Sequence, residues 1–243
     1  MTERFQFKLD GERVTARQYP ARRPIGATLL LGHGVSGGQR SAFITDYATA
    51  LADRGVLVVT YDFPFMAHGR RTPDRYEVLA EAFRRGVRAA WECRPNNRVF
   101  VGGKSLGGRV ATQVLSEGGD DLGVAGIVVL GYPLHPMGKP GASHAQHLQR
   151  LPVPALFVQG TRDVFGGADE LRRAFAATLP DGSEIHPVEG GDHSLAVRGT
   201  DLHDEIADEV VRWMSELLAG PERAARTRRA RPGRSRGARA GGL

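Results

Sequence analysis

Residues 98–109 read Arg-Val-Phe-Val-Gly-Gly-Lys-Ser-Leu-Gly-Gly-Arg. An apolar, β-branched run enters a pair of glycines, and a helix-forming stretch, Leu106–Ser116, leaves them. Inside this turn Gly103-Lys104-Ser105-Leu106-Gly107 fits the pattern G-x-S-x-G. A serine on so sharp a strand-to-helix turn is lifted into the open on a strained backbone. The positions two residues either side must be small, because strand and helix converge there. The N–H of Leu106, at the head of the helix, is then placed to donate to a developing oxyanion. The same loop imitates the end of a phosphate-binding Gly-Lys-Ser loop. That pattern needs a further glycine five residues before Gly103, where Arg98 stands, so the backbone cradle for a nucleoside triphosphate is lacking.

Working outward, strand-like and helix-like segments alternate. Ala27–Leu31, Val56–Tyr61, Val99–Val101, Val124–Leu130, Ala155–Val158 and Ser183–Val188 are short apolar runs of the kind that form buried parallel strands. Phe43–Arg54, Arg75–Trp91, Glu170–Leu179 and Leu202–Leu218 carry apolar residues at helical spacing, such as Leu79, Phe83, Val87 and Trp91 on one face. Phe5–Leu9 and Val14–Tyr19 predict an N-terminal hairpin around Asp10-Gly11. Repeated βα units give the expected fold class, α/β, with a mostly parallel central sheet and helices on both faces. In such sheets ligands bind beyond the carboxyl ends of the strands.

The loops after three other strands carry the remaining chemistry. Gly32-His33-Gly34-Val35-Ser36-Gly37 satisfies G-x-G-x-x-G, and Asp62 ends the next strand, so a dinucleotide site is one reading. The competing reading is an HG-type loop whose Val35 N–H points at an oxyanion. A serine hydroxyl needs a base, and histidine has the appropriate pKa. His193 lies in Gly190-Gly191-Asp192-His193-Ser194, just past the last strand. A histidine base needs an acid to fix its tautomer, and Asp163 lies just past Ala155–Val158, with Asp192 a weaker rival. Ser105, Asp163 and His193 follow the chain order Ser…Asp…His, and all three fall on loops at the same expected sheet edge. The dinucleotide reading gives no reason for Asp163 or His193.

Taken together, HGVSGG (33–38), YDFPFM (61–66), GGKSLGGR (102–109), GYPLHP (131–136), QGTRD (159–163) and GDHS (191–194) resemble the α/β hydrolases over roughly residues 4–218. The closer resemblance is to the α/β-hydrolase-like domains shared by testis-expressed protein thirty and the third subunit of the NSL chromatin complex. Dienelactone-hydrolase-like enzymes are more distant. The resemblance implies a serine hydrolase with Ser105 as nucleophile, His193 as base and Asp163 as acid; the elbow and the HG-type loop supply Leu106 and Val35 as the expected oxyanion donors. The expected activity is hydrolysis of a small carboxylic ester or thioester without a cofactor. Some relatives are assembly subunits, so a non-catalytic partner-binding module is the alternative.

Other residues receive narrower expectations. Phe63, Phe65, Met66, Tyr132 and Leu134 are candidate pocket walls, and each equally suits the core. Lys104 beside the nucleophile is a candidate for attracting an anionic part of the substrate. Arg109, early in a helix where the dipole disfavours a cation, calls for a carboxylate partner such as Asp62. His144 and His147 stand three apart, but no third ligand is evident, so both are read as surface residues and no metal is expected. The segment 132–152 is too short for a large lid domain and has room for one short helix.

Composition bounds the rest. With 243 residues, 41% of them hydrophobic, the chain can bury one good core and suits a single domain over 1–220. A lone cysteine, Cys93, excludes a disulfide scaffold. No apolar run approaches the roughly 18 residues of a membrane span, and no signal-like segment opens the chain, so a cytoplasmic protein is expected. Residues 221–243 hold eight arginines against the single acid Glu222, so this stretch contributes +7 and the rest of the chain −1 to the net charge of +6. It is read as a disordered tail, with weak contact to nucleic acid or an acidic surface as its possible role.

Overall fold

A computed structural model describes residues 3–9, 12–139 and 145–220. The expected tail at 221–243, the hairpin turn at Asp10-Gly11 and His144 lie outside the described residues. In chain order the main elements are β1 (Glu3–Leu9), β2 (Glu12–Tyr19), β3 (Ala27–Gly32), α1 (Ala42–Asp53), β4 (Val56–Tyr61), α2 (Pro64–Ala67), α3 (Tyr76–Cys93), β5 (Arg98–Lys104), α4 (Leu106–Ser116), β6 (Gly126–Leu130), β7 (Ala155–Gly160), α5 (Ala168–Phe175), β8 (Glu184–Val188) and α6 (His203–Ala219). Short 3-10 turns at Gly38–Arg40, Gly119–Leu122 and Gln146–Arg150 complete the set. The last of these is the one short helical piece among the described residues of the 132–152 segment.

The strands form one eight-stranded sheet in the order β1-β2-β4-β3-β5-β6-β7-β8. β1 and β2 run antiparallel to each other, and β2 antiparallel to β4. All pairings from β4 through β8 are parallel. β3 and β5 therefore sit in the middle, in register from Ala27 opposite Arg98 to Gly32 opposite Gly103. The loop after β3 and the loop after β5 consequently emerge side by side.

Both faces of the sheet are covered in its middle, which explains why β3, β4, β6 and β7 are mainly apolar along their length rather than alternately so. Leu30, Val101, Ile127, Val129 and Phe157 point into the layer of α3, α4 and α5, where Leu79, Phe83, Val87, Val110, Val114 and Leu171 meet them. Leu29, Leu31, Val128, Leu130, Leu156 and Val158 point into the layer of α1 and α6, against Ile44, Leu51, Ile206, Val210 and Trp213. Each such buried side chain contributes about 1.5–3 kcal/mol relative to exposure. Arg54, just past α1, joins the two helices of that layer through Asp204 (2.9 Å) and Asp208 (2.6 Å). Among the described residues no helix is long and apolar enough to cross a membrane.

Candidate active site

Ser105 stands between β5 and α4 with φ 49° and ψ −107°, a left-handed conformation that side chains other than glycine rarely adopt. Crowding explains the flanking glycines. A Cβ on Gly107 would lie 2.5 Å from the carbonyl oxygen of Gly32 on the neighbouring strand, and a Cβ on Gly103 would strike the same atom. The turn is thus tight because β3 and α4 touch backbone to backbone. α4 begins at Leu106, so that N–H is one of the first-turn donors without an intrahelical acceptor.

The two partners come from the far loops. His193 Nε2 is 2.9 Å from Ser105 Oγ, and His193 Nδ1 is 2.7 Å from Asp163 Oδ2. The Asp163 carboxylate is fully buried, whereas the His193 ring is one-fifth exposed. Asp163 Oδ1 accepts from the Phe165 N–H at 2.8 Å, and Oδ2 also accepts from Gln159 Nε2 at 2.9 Å. The Phe165 ring lies 4.5 Å from the imidazole. Asp192 does not join the relay. Its Oδ1 accepts from Ser194 N (2.7 Å) and Ala196 N (3.1 Å), which shapes the loop carrying His193.

The HG-type loop lies against Ser105, since a Cβ on Gly34 would be 3.7 Å from Ser105 Cβ. His33 is completely buried and fastens this loop to the next one. Its Nε2 accepts from the Phe63 N–H at 2.9 Å, and its Nδ1 donates to the Gly34 carbonyl at 2.5 Å. Burial holds its pKa below the usual histidine value, against the raising effects of the Gly34 carbonyl and Asp62. It is therefore a neutral strut, not a base. Asp62 accepts from Gln39 N (2.7 Å) and Gln39 Nε2 (2.9 Å), so it is committed to holding residues 38–40.

Several expectations need correction. Phe63, Phe65, Tyr132 and Leu134 are at most 2% exposed and belong to the core. The cause is local: the single turn of α2 tucks Phe65 inward, and Phe63 packs edge-to-face against Tyr61 and His33. Met66 is half-buried. The large apolar side chains that do face solvent among the described residues are Val35, Met137 and Val164, on the loops after β3, β6 and β7. Lys104 does not face solvent either. It is 9% exposed, and its ammonium donates to the His193 carbonyl. Arg109 does not meet Asp62, whose oxygens are taken by Gln39, and its buried Nε has no hydrogen-bond partner among the described residues. His147 is buried, with Nε2 3.0 Å from Thr112 Oγ1, rather than on the surface.

Sequence reasoning missed Gln159. Its Oε1 accepts from Tyr132 N (2.7 Å), and its Nε2 faces Tyr132 O, Asp163 Oδ2 and Gly166 O at 2.6–3.1 Å. A glutamine at the end of a wholly buried strand was the available signal, because a buried amide must find partners. His135 adds a second clasp between the loops after β6 and β7: its N–H donates to Phe165 O (3.1 Å), and its Nε2 is 3.4 Å from Glu170. Among the described residues no group of three or more potential ligands is arranged to hold a metal ion.

The fold recurs in solved structures. An alpha-beta serine hydrolase homologue from Coxiella burnetii is 18% identical, with a TM-score of 0.67 over 86% of this chain and 96% of that one. A serine hydrolase without lid from Xanthomonas campestris is 16% identical, with a TM-score of 0.68 over 87% and 94%. Dienelactone hydrolase from Anabaena variabilis is 16% identical, with a TM-score of 0.67 over 88% and 96%. At these identities the likeness concerns the fold, which is that of the α/β hydrolases, and the described residues add no large lid to it. The family described as alpha/beta hydrolase domain matches residues 26–219, and the chain belongs to that family.

Proposed function

We propose that this protein is a serine hydrolase that cleaves a small carboxylic ester or thioester through Ser105, His193 and Asp163. The observation that carries the proposal is the unbroken relay from Asp163 Oδ2 through the imidazole to Ser105 Oγ, at 2.7 and 2.9 Å. Both distances lie within the range that general-base catalysis requires.

The proposed steps use the contacts described above. Ser105 Oγ attacks the carbonyl carbon while His193 Nε2 takes its proton. Asp163 keeps the other ring proton on Nδ1 and stabilises the imidazolium. The N–H groups of Leu106 and Val35 receive the oxyanion. One such donor typically lowers the barrier by ~2.7–4 kcal/mol. Collapse expels the leaving group, which His193 protonates, and the same imidazole then activates water to release the acyl group from Ser105. The strained Ser105 backbone points its hydroxyl at this position before substrate arrives.

Val35, Met137 and Val164 are exposed and Met66 and Phe165 half-buried on segments that follow the carboxyl ends of the strands, which supports a small acyl or alkyl group as the substrate's apolar part. Several structural neighbours bear serine hydrolase, esterase or dienelactone hydrolase in their names, which agrees with ester chemistry. The narrower likeness to the testis-expressed protein thirty and NSL third-subunit domains is part of the same reading. Turnover of p-nitrophenyl acetate that vanishes in Ser105→Ala, with folding retained, supports this assignment. An inactive wild-type protein would instead favour the partner-binding alternative.

A further inference from the structure

The chain has 33 basic residues, and three of them are lysines: Lys8, Lys104 and Lys139. The one beside the nucleophile is buried. Its Nζ donates to the main-chain carbonyl of His193, and it lies 4.8 Å from the centre of the Phe43 ring in the first turn of α1. A Cβ on Gly131, just past β6, would come within 3.1 Å of Nζ, and a Cβ on Gly34 would lie 3.4 Å from Lys104 Cγ. The side chain therefore runs beneath the HG-type loop and ends under the loop of the base. No carboxylate among the described residues touches it. Asp163 and Asp192 act on it through space, and burial, the larger influence, pushes its pKa down to about 8.

A desolvated ammonium held by a carbonyl and a ring face is an expensive way to fill space, and an apolar side chain of similar length would fit the fold better. Its contacts say what it does instead. The loop around His193 is shaped internally by Asp192, and Leu195 sits at φ 59°. Lys104 ties that preshaped loop to the end of β5, the strand that leads into Ser105. We propose that Lys104 is a positioning residue: its ammonium pins the His193 carbonyl, and thereby the imidazole, against Ser105, while its stem supports the loop bearing the Val35 N–H. The inference rests on the triad reading above and concerns how the triad is held.

The groups facing the ammonium are the His193 main-chain carbonyl, the Phe43 ring from α1 and the backbone of Gly131, with Asp163 and Asp192, from the loops after β7 and β8, acting through space. The two acids favour its charge. As pH rises through about 8 the ammonium loses its proton, and the charge-assisted hold on the carbonyl weakens.

The test compares wild type, Lys104→Met and Lys104→Arg with p-nitrophenyl acetate, using Ser105→Ala as the blank. A wild-type rate equal to the blank defeats the triad reading itself. With wild-type turnover established, Lys104→Met is expected to lower kcat by about tenfold or more, since small misplacements of reacting groups are costly, while leaving KM within about twofold. It is also expected to keep or raise Tm, because a desolvated charge is gone, and to lack the alkaline decline that the wild-type kcat shows. Lys104→Arg is expected to restore the charge without the fit, giving intermediate kcat. Wild-type kcat in Lys104→Met, or a loss that tracks a loss of folded protein, overturns the proposal. Should the variant fail to fold, carbon-13 NMR of lysine-labelled wild type decides. With three lysines the Lys104 signal is resolvable, and its titration midpoint must coincide with the alkaline fall in kcat. Titration of Lys104 with no change in kcat overturns the proposal equally.

Discussion

Gln159 donates from Nε2 to the same carboxylate oxygen of Asp163 that holds the His193 imidazole, at 2.9 Å. The Asp163 carboxylate is thus gripped from the sheet side by an amide that also binds Tyr132 and Gly166. Replacing Gln159 by Leu leaves the Asp163 oxygen and the Tyr132 backbone groups with fewer partners in a buried place. A stability loss of about 1–3 kcal/mol is expected, together with lower kcat. Urea denaturation and ester kinetics check both, and an unaltered pair of values would show that Asp163 is positioned by other contacts.

His33 supplies a pH-dependent contribution to stability. Its pKa is depressed in the folded protein and returns to about 6.5 on unfolding. Above that value the ring is neutral in both states and the contribution is complete. Below it the unfolded chain binds the proton first, so stability falls as pH drops towards the folded pKa, by up to about 1.4 kcal/mol per pH unit. Denaturation of wild type and His33→Asn at pH 7.5 and 5.5 should show a smaller acid loss in the variant. Equal losses would contradict the neutral-strut role.

The exposed apolar rim makes a prediction about substrates. Val164→Asp should lower kcat/KM for p-nitrophenyl butyrate roughly tenfold more than for the acetate, because a methylene or two lost from an apolar contact is worth that much. Equal effects on the two esters would remove Val164 from the substrate wall.

The crowding at the Ser105 turn predicts that Gly107→Ala is poorly tolerated. Its methyl group would sit 2.5 Å from the Gly32 carbonyl oxygen, so strand and helix must separate. Overpacking of this kind costs about 1–3 kcal/mol or more, and displacement of Leu106 N–H should reduce turnover further. A variant with wild-type Tm and activity would mean that the two backbones part easily.

Much of this was readable from residues 98–109 outward. The glycines flanking Ser105 are dictated by backbone contact, and the β3, β4, β6 and β7 runs are apolar at successive positions because both sheet faces are covered. Asp163 and His193 stand out in the sequence as polar residues just past strands, and the structure links Asp163 through His193 to Ser105 by hydrogen bonds. The loop interiors were harder to read. An aromatic after a strand suits a pocket wall and a core equally well, and the inward turn of α2 settled the matter for Phe65. Asp62 looked free for Arg109 until the 3-10 turn at Gly38–Arg40 brought Gln39 onto it. The role of Lys104 depends on a carbonyl 89 residues away, which local pattern does not encode.

Covalent labelling with a fluorophosphonate probe, followed by mass-spectrometric mapping of the modified residue, tests the central claim most directly. The account predicts a single adduct on Ser105 in the wild-type protein, none in Ser105→Ala, and much slower labelling in His193→Ala. An adduct mapped to another residue, or equal labelling of wild type and Ser105→Ala, would contradict it.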